Sequence, residues 1–412
     1  MHTPRSELRD GLSVMLASAF ALGSGAQALP SYSLSLFAGP IQAELGWSRS
    51  NIGLAATFLW AGFLITAPIA GRLADRFSVR RIAIPSIILF SMTFIAMSRI
   101  RGSVWCLYLG YGTLAALGAG TTSVCYSRIV TLWFKRNRGF ALGVMMAGAS
   151  VAAMLIPIVV DGVIRHFGWR NAWIALGLWS LSAAPIVWIF LLEPADAEVR
   201  PSGSIAMPDD RSSDGFSLHE AMRTRRFWFL AVSNFCWAIP IGVLLSHLVP
   251  LLTDSGLSRA QAVQAASTLG IAGLIGRLGI GFLIDRLFAP VVAATVLVAA
   301  AFGCVLLSKV PSAAVVGVCL MGLYIGSEGD LMAFFTSRYF GRRAFSEILG
   351  WLFSSMAIGV VIGPLLAGAL YEKLSGYTEL LMICSGLLLV SAILQVSLGQ
   401  FPKSVGNPVT QP

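Results

Sequence analysis

The sequence is short of charge. Of its 412 residues only 12% are charged and 56% are hydrophobic, whereas a soluble domain carries roughly 25% charged residues because water must solvate its surface. A chain of this length would make two or three soluble domains, and too few charges are present to coat them. The same scarcity excludes disulfide-stapled scaffolds, disordered chains and nucleic-acid-binding domains. Cysteine is sparse too. Cys106, Cys125, Cys236, Cys304, Cys319 and Cys384 fall in apolar segments, without CxxC spacing or a nearby His pair. They read as small core residues, and no metal is expected. No phosphate-binding loop is visible, which argues against direct drive by ATP. No nucleophile with a base marks an enzyme, and no cofactor is expected. What is present is a net charge of +10, whose meaning depends on where the basic residues sit relative to a membrane.

Long apolar runs are abundant. A bilayer core about 30 Å thick needs roughly 20 apolar residues of helix. Twelve such stretches lie at approximately 12–38, 50–71, 82–99, 104–131, 139–164, 171–193, 227–252, 260–284, 289–308, 311–337, 346–371 and 377–400. The first is too long for a secretory leader, has no convincing cleavage site and is followed at once by another span, so it is expected to stay. One long break contains Pro194, Pro201, Ser202, Gly203, Pro208, Asp209 and Asp210 and reads as a polar linker. It divides the chain into a unit of six spans over 1–193, a linker over 194–226, and six spans with a short tail over 227–412. The fold class expected is an all-α integral membrane protein of twelve transmembrane helices in two pseudo-symmetric bundles.

Loop charges set the orientation. With the N-terminus inside, the inner loops hold Arg72, Arg76, Arg80, Arg81, Lys135, Arg136, Arg138, Arg223, Arg225, Arg226, Arg286, Arg338, Arg342 and Arg343. The outer loops hold Arg49, Arg99, Arg101, Arg165, Arg170, Arg259, Lys309 and Lys373. Both termini and the linker are therefore expected on the cytoplasmic side. Most of the positive charge is topology, and the lipid bilayer rather than nucleic acid is the partner expected. Short loops and tails favour a bacterial inner membrane.

The two halves repeat. Gly71-Arg72-Leu73-Ala74-Asp75-Arg76 matches Gly281-Phe282-Leu283-Ile284-Asp285-Arg286 at an offset of 210. Trp47-Ser48-Arg49 matches Leu257-Ser258-Arg259 at the same offset, and Gly143 and Pro157 match Gly350 and Pro364 at 207. Such ordered matches indicate a duplicated six-helix unit. Two such units side by side form one large class of secondary transporters, with the substrate site between the halves near mid-membrane.

Gly71-x-Leu73-Ala74-Asp75-Arg76-x-x-x-Arg80-Arg81 resembles the loop signature between helices 2 and 3 of the major facilitator superfamily, with Ser78 where that signature usually has Gly. Phe167-Gly168-Trp169-Arg170 also resembles the superfamily. The run Trp133 to Gly143, Ala147-Gly148 and Gly46-Trp47-Ser48-Arg49-Ser50 resemble its branch of monocarboxylate transporters and oxalate:formate antiporters. Physically, Asp75 flanked by arginines can hydrogen-bond a helix N-terminus and pair with a cation. Gly71, Asp75, Arg76, Arg80, Asp285 and Arg286 are accordingly expected to latch one conformation. For Arg80 and Arg81, simple anchoring on the cytoplasmic side is the alternative.

Ionisable groups inside spans are costly and therefore functional candidates. Arg277 lies eight residues before Asp285, about 12 Å into the membrane at 1.5 Å per residue. Its planar fork suits a carboxylate, and the resemblance implies that it binds an anionic substrate. The alternative is a structural ion pair with an acid of the tenth span. Two departures from the family stand out. Gly273 replaces the Asp found four residues before the Arg in many animal members, and Ser31 lies nearest the Lys of helix 1. A replacement proton carrier is offered by Glu328 and Asp330. These lie about 200° apart on a helix, so both cannot face the cavity equally. An apolar setting favours the neutral form of a carboxyl and an adjacent Arg opposes it, an alternation that suits proton coupling. His247 could gate by pH. Arg128 either snorkels to the inner interface or lines the cavity. Ser31, Tyr32, Tyr126, Asn234 and Trp351 could shape a mixed pocket.

These features lead to the expectation of a secondary transporter for a small organic monocarboxylate and a proton, working by alternating access without an obligate protein partner. An organic-anion exchanger, a proton-driven exporter of the same fold and a non-transporting membrane sensor stay open at this point.

Overall fold

The computed structural model describes residues 4–193, 215–309, 313–374 and 376–402. Sixteen helices follow in order: α1 (Pro4–Gly23), α2 (Leu29–Leu45), α3 (Arg49–Arg76), α4 (Val79–Met97), α5 (Trp105–Leu117), α6 (Ser123–Trp133), α7 (Arg138–Phe167), α8 (Trp169–Leu181), α9 (Ala183–Phe190), α10 (Leu218–Met222), α11 (Arg225–Asp254), α12 (Arg259–Ile284), α13 (Ala289–Lys309), α14 (Ala314–Tyr339), α15 (Phe345–Leu374) and α16 (Thr378–Val396). Among the described residues no strand forms, and one isolated bridge pairs Gly215 with Gly341.

Nine segments among the described residues are long and apolar enough to cross a bilayer, with α8 and α9 joined in one of them. The other three expected spans are described as shorter pieces. In the eighth, the described apolar stretch is Thr268–Ile284 of α12. The first span is interrupted between α1 and α2, and the fourth between α5 and α6, where Ala119–Thr121 forms a single 3-10 turn. Glycines punctuate both places, as Gly23-Ser24-Gly25 and Gly118-Ala119-Gly120.

The two interruptions meet and repair each other. The Ala26 N–H donates to Thr121 Oγ1 at 3.0 Å, and the Ser123 N–H donates to Gln27 Oε1 at 2.7 Å. Ser86 on α4 accepts from the Gly120 N–H at 3.1 Å and donates to the Leu117 carbonyl at 2.7 Å. Backbone freed inside a membrane must find such partners, since hydrocarbon supplies none.

The outside of the bundle carries large exposed apolar residues, among them Ile65, Ile69, Leu109, Ile158, Ile271 and Ile393. The interior is close-packed. Phe37 stacks on Trp173 with ring centroids 3.9 Å apart. In the other half Trp237 meets Tyr324 edge-on at 6.2 Å, and the Tyr324 hydroxyl donates to the Trp237 carbonyl. Small residues let helices touch backbone to backbone. A Cβ on Gly139 would lie 2.5 Å from the Gly281 carbonyl, and one on Gly281 2.7 Å from the Gly139 carbonyl. Cys125, Cys236, Cys304 and Cys384 are buried and Cys319 is half-buried. Cys106 departs from the core reading: it is exposed near the start of α5, where the helix surface faces outward rather than into the bundle.

Residues 194–214 of the linker lie outside the described residues. The part that follows is folded onto the second half. The Phe216 N–H donates to the Phe340 carbonyl at 2.8 Å. Ser217 and Glu220 form a reciprocal capping box at the start of α10, and Arg343 stands 3.6 Å from Glu220. At the opposite rim, Glu44 at the end of α2 accepts from Trp169 Nε1 at 2.7 Å and from Arg170 at 2.5 Å. The Arg170 hydrogen bond, with that of Trp169, holds the Glu44 carboxyl below its usual range.

Candidate functional site

Two carboxylates tie the halves together at the rim that also holds the described ends of the chain. Asp75, in the last turn of α3, accepts from the Ser346 N–H at 3.1 Å and from the Glu347 N–H at 2.7 Å, at the start of α15. Arg128 on α6 pairs with the same carboxylate, and both side chains are largely buried. Asp285, just past α12, accepts from the Gly139 N–H at 2.8 Å and the Phe140 N–H at 2.9 Å, at the start of α7. The offset of 210 between the two acids and of 207 between the two capped helix starts is the same repeat seen in the sequence. Each half thus caps a helix of the other, where exposed N–H groups and the helix dipole favour negative charge. Burial pushes the Asp285 carboxyl up, against its two N–H donors and the nearby Arg138 and Arg286.

The remaining latch candidates are placed as follows. Gly71 lies where a Cβ would overlap the Ser346 backbone, so the close approach of α3 to α15 requires glycine. Arg72 stands 3.7 Å from Glu347 across the halves. Arg80 stays within its own half, donating to the Trp188 carbonyl at 3.1 Å with its guanidinium 4.7 Å from the Trp188 ring. Arg286, just past α12, folds over the Phe282 ring of that helix at 3.3 Å. Arg76 is exposed. Arg128, expected either to snorkel or to line the cavity, pairs with Asp75, whose carboxylate within the bundle holds the guanidinium.

Arg277, Asp330 and Gly143 converge where α12, α14 and α7 meet. A Cβ on Gly143 would lie 2.6 Å from the Arg277 carbonyl oxygen and 3.5 Å from Asp330 Oδ2. Asp330 is fully buried and Arg277 half-buried. Arg277 is the charge that bears on the Asp330 carboxylate. Among the described residues neither Asp330 oxygen has a hydrogen-bond partner, and neither does Arg277 Nε. Glu328 turns the other way. It is also buried, it bears on Tyr324 inside the second half, and its Oε1 has no protein partner. The two acids therefore divide as the 200° helical separation requires, with Asp330 on the interface between halves. Unpaired buried polar groups are costly, and here they lie beside a buried carboxylate and a guanidinium.

The glycines around Arg277 are only partly free space. A Cβ on Gly326 would overlap the Gly273 carbonyl, and one on Gly276 the Leu323 carbonyl, so α14 fills that side of α12. Gly270 and Gly279 meet nothing within 4 Å. Among the other candidates, Tyr126 is fully buried with an unpartnered hydroxyl. Asn234 is buried in the second half and accepts from Trp237 Nε1 at 3.0 Å. Trp351 is 44% exposed. Ser31 lines a cleft of about 480 Å³ between α2 and α3, and Tyr32 beside it is half-buried. His247 lies far from Arg277 along the chain of contacts, near the opposite rim, where its Nδ1 is 3.1 Å from the Tyr377 hydroxyl. Gln27 was not singled out in the sequence. The glycine-broken apolar run around it was the available signal, since interrupted helices mark binding sites in transporters.

Comparison with known proteins agrees with this architecture. The family model of the Major Facilitator Superfamily matches residues 20–345. The chain is 26% identical to monocarboxylate transporter 12 of Rattus norvegicus over 339 residues, covering 74% of this chain and 69% of the relative. It is 25% identical to the gallate transporter of Pseudomonas putida over 365 residues, covering 82% of this chain and 80% of the relative. Among solved structures, the transporter FucP in the outward conformation superposes with a TM-score of 0.72 at 16% identity, covering 94% of this chain and 99% of that one. The human organic anion transporter MFSD10 superposes with a TM-score of 0.72 at 18% identity over 96% of this chain and 100% of that one. At such identities the structural likeness speaks for the fold alone. The chain belongs to the Major Facilitator Superfamily, as an integral membrane transporter of twelve helices in two bundles.

Proposed function

We propose that the protein carries a small organic monocarboxylate together with a proton, and that Arg277 and Asp330 are the groups that couple them. The observation that carries this reading is the placement of buried Asp330 and half-buried Arg277 together at the junction of α7, α12 and α14, with unpartnered polar atoms on both side chains. When Asp330 is ionised it neutralises Arg277. When Asp330 takes a proton, the guanidinium is released to a substrate carboxylate, for which its fork of donors is suited. Proton and anion then move together, and the cycle transfers no net charge through hydrocarbon, where a bare ion is costly. Glu328 serves as a second, internal acid rather than the carrier. Relatives named as monocarboxylate and gallate transporters support a carboxylate cargo.

In this arrangement the positive-inside pattern places both termini in the cytoplasm. The latched rim is then cytoplasmic and the cleft beside Ser31 opens to the outside of a bacterial inner membrane. The units 1–193 and 227–412 rock about the central site.

The test is uptake into proteoliposomes of labelled monocarboxylates, dicarboxylates and lipophilic cations. The wild type is expected to take up a monocarboxylate faster under an inward proton gradient, and Arg277→Lys to lose at least about 10-fold in kcat/KM, equivalent to about 1.4 kcal/mol. Equal uptake by wild type, Arg277→Lys and Arg277→Ala proteins would remove the anchor role.

A further inference from the structure

Chain ends are poorly ordered unless something ties them down. The segment after α16 is tied down at three successive carbonyls. Arg226, at the start of α11, donates from Nε to the Leu398 carbonyl at 3.2 Å and from Nη2 to the Gln400 carbonyl at 3.3 Å. The hydroxyl of Tyr339, the last residue of α14, donates to the Gly399 carbonyl at 2.6 Å. Gly399 has a φ of +69°, a conformation that side chains disfavour, so the turn that presents these carbonyls suits glycine.

Phe401 completes the attachment. Its ring centroid lies 4.9 Å from that of Tyr339, 6.2 Å from Phe334 and 5.9 Å from Phe288. The Arg338 guanidinium stands over the Phe401 ring at 5.0 Å. Residues 398–401 thus form a strap that holds the start of α11, the end of α14 and the turn between α12 and α13.

Two of these three anchor points also carry contacts between the halves. Ser337, two residues before Tyr339, accepts from Arg138 Nη1 of the first half at 2.9 Å, and both side chains are buried. Asp285, three residues before Phe288, accepts from the Gly139 and Phe140 N–H groups of the first half. The strap contacts given above lie within the second half, so they can persist when the halves separate. Closing the rim requires Ser337 and Asp285 to stand where the first half meets them. Segments already held in place lose less freedom on closing than loose ones do.

We propose that the strap of residues 398–401 is a conformational control at the end of the chain. Bound, it fixes the end of α14 and the α12–α13 turn in the positions that the first half meets, and it favours the closed rim. Released, it shifts the equilibrium toward an open rim. The proposal rests on the reading of the halves as moving between two states, and it is independent of the substrate carried.

The test is the distance between spin labels on exposed residues of the two halves at this rim. Arg81→Cys and Arg223→Cys carry the labels, in the full chain with the exposed Cys106 replaced by Ser and reconstituted in bilayers. The parent is expected to show mainly the short distance of the closed rim. Phe401→Ala is expected to raise the longer-distance population at least about 3-fold. Tyr339→Phe, which removes only the hydrogen bond to Gly399, is expected to move it in the same direction by less. Asp285→Ala, which removes a cap between the halves, serves as the open reference. If Asp285→Ala lengthens the distance while Phe401→Ala and Tyr339→Phe leave it unchanged, the role of the strap is overturned. If Asp285→Ala leaves it unchanged as well, the two-state reading of this rim fails with the proposal.

Discussion

Gly143 forms a wall against both Arg277 and Asp330, so these two residues sit against a surface with no side chain of its own. Similar close approaches recur, and they make sharp predictions for single methyl groups. A Cβ on Gly148 would overlap the Ala19 backbone, whereas one on Gly279 meets nothing within 4 Å. Gly148→Ala is expected to lower stability by about 1–3 kcal/mol, and Gly279→Ala to leave it unchanged or raise it by a few tenths to about 1 kcal/mol. Thermal unfolding of the purified proteins in one detergent checks both, and equal melting temperatures would contradict the packing described. At this scale the sequence singled out Arg277, Glu328 and Asp330 as candidates because each is expensive in a membrane. Which acid meets the arginine depended on the rotation of α14, set by packing of its glycines on α12. The partner of Arg128 was also hidden, because Asp75 lies 53 residues away on another helix.

At the scale of elements, the helix boundaries followed from hydropathy wherever a span is continuous, as in α7, α13 and α16. The interruptions of the first and fourth spans carried only their glycines as a signal, because the backbone bonds lost there are replaced by Thr121, Gln27 and Ser86 from elsewhere in the chain. Expected latch residues divide by the same logic: those acting through a helix terminus found one, while Arg80 and Arg286 found aromatic rings. Capping of α15 by Asp75 is worth about 0.5–2 kcal/mol, and its loss also strands Arg128. Asp75→Ala is therefore expected to loosen the start of α15. A cysteine at Ser346, buried in the latched state, should react severalfold faster with a thiol reagent in Asp75→Ala than in the otherwise unchanged protein. Equal rates would mean that Asp75 does not hold this rim shut.

For the whole molecule, the duplication seen in the sequence appears as a reciprocal contact in which each half caps a helix of the other. Caps at one rim hold the halves together there. The cleft beside Ser31 lies toward the opposite rim. Under the proposed alternating-access cycle this is one end-state, with half-buried Arg277 and buried Asp330 between the capped rim and the cleft. The most direct measurement is proton movement driven by substrate. Proteoliposomes holding a pH-sensitive dye are given a monocarboxylate shown to be carried, with the leak of protein-free vesicles subtracted. The account predicts that the wild type acidifies the lumen in step with uptake, one proton per anion, and that Asp330→Asn abolishes the coupled proton signal. Uptake by the wild type without acidification, or an undiminished proton signal in Asp330→Asn, would contradict it.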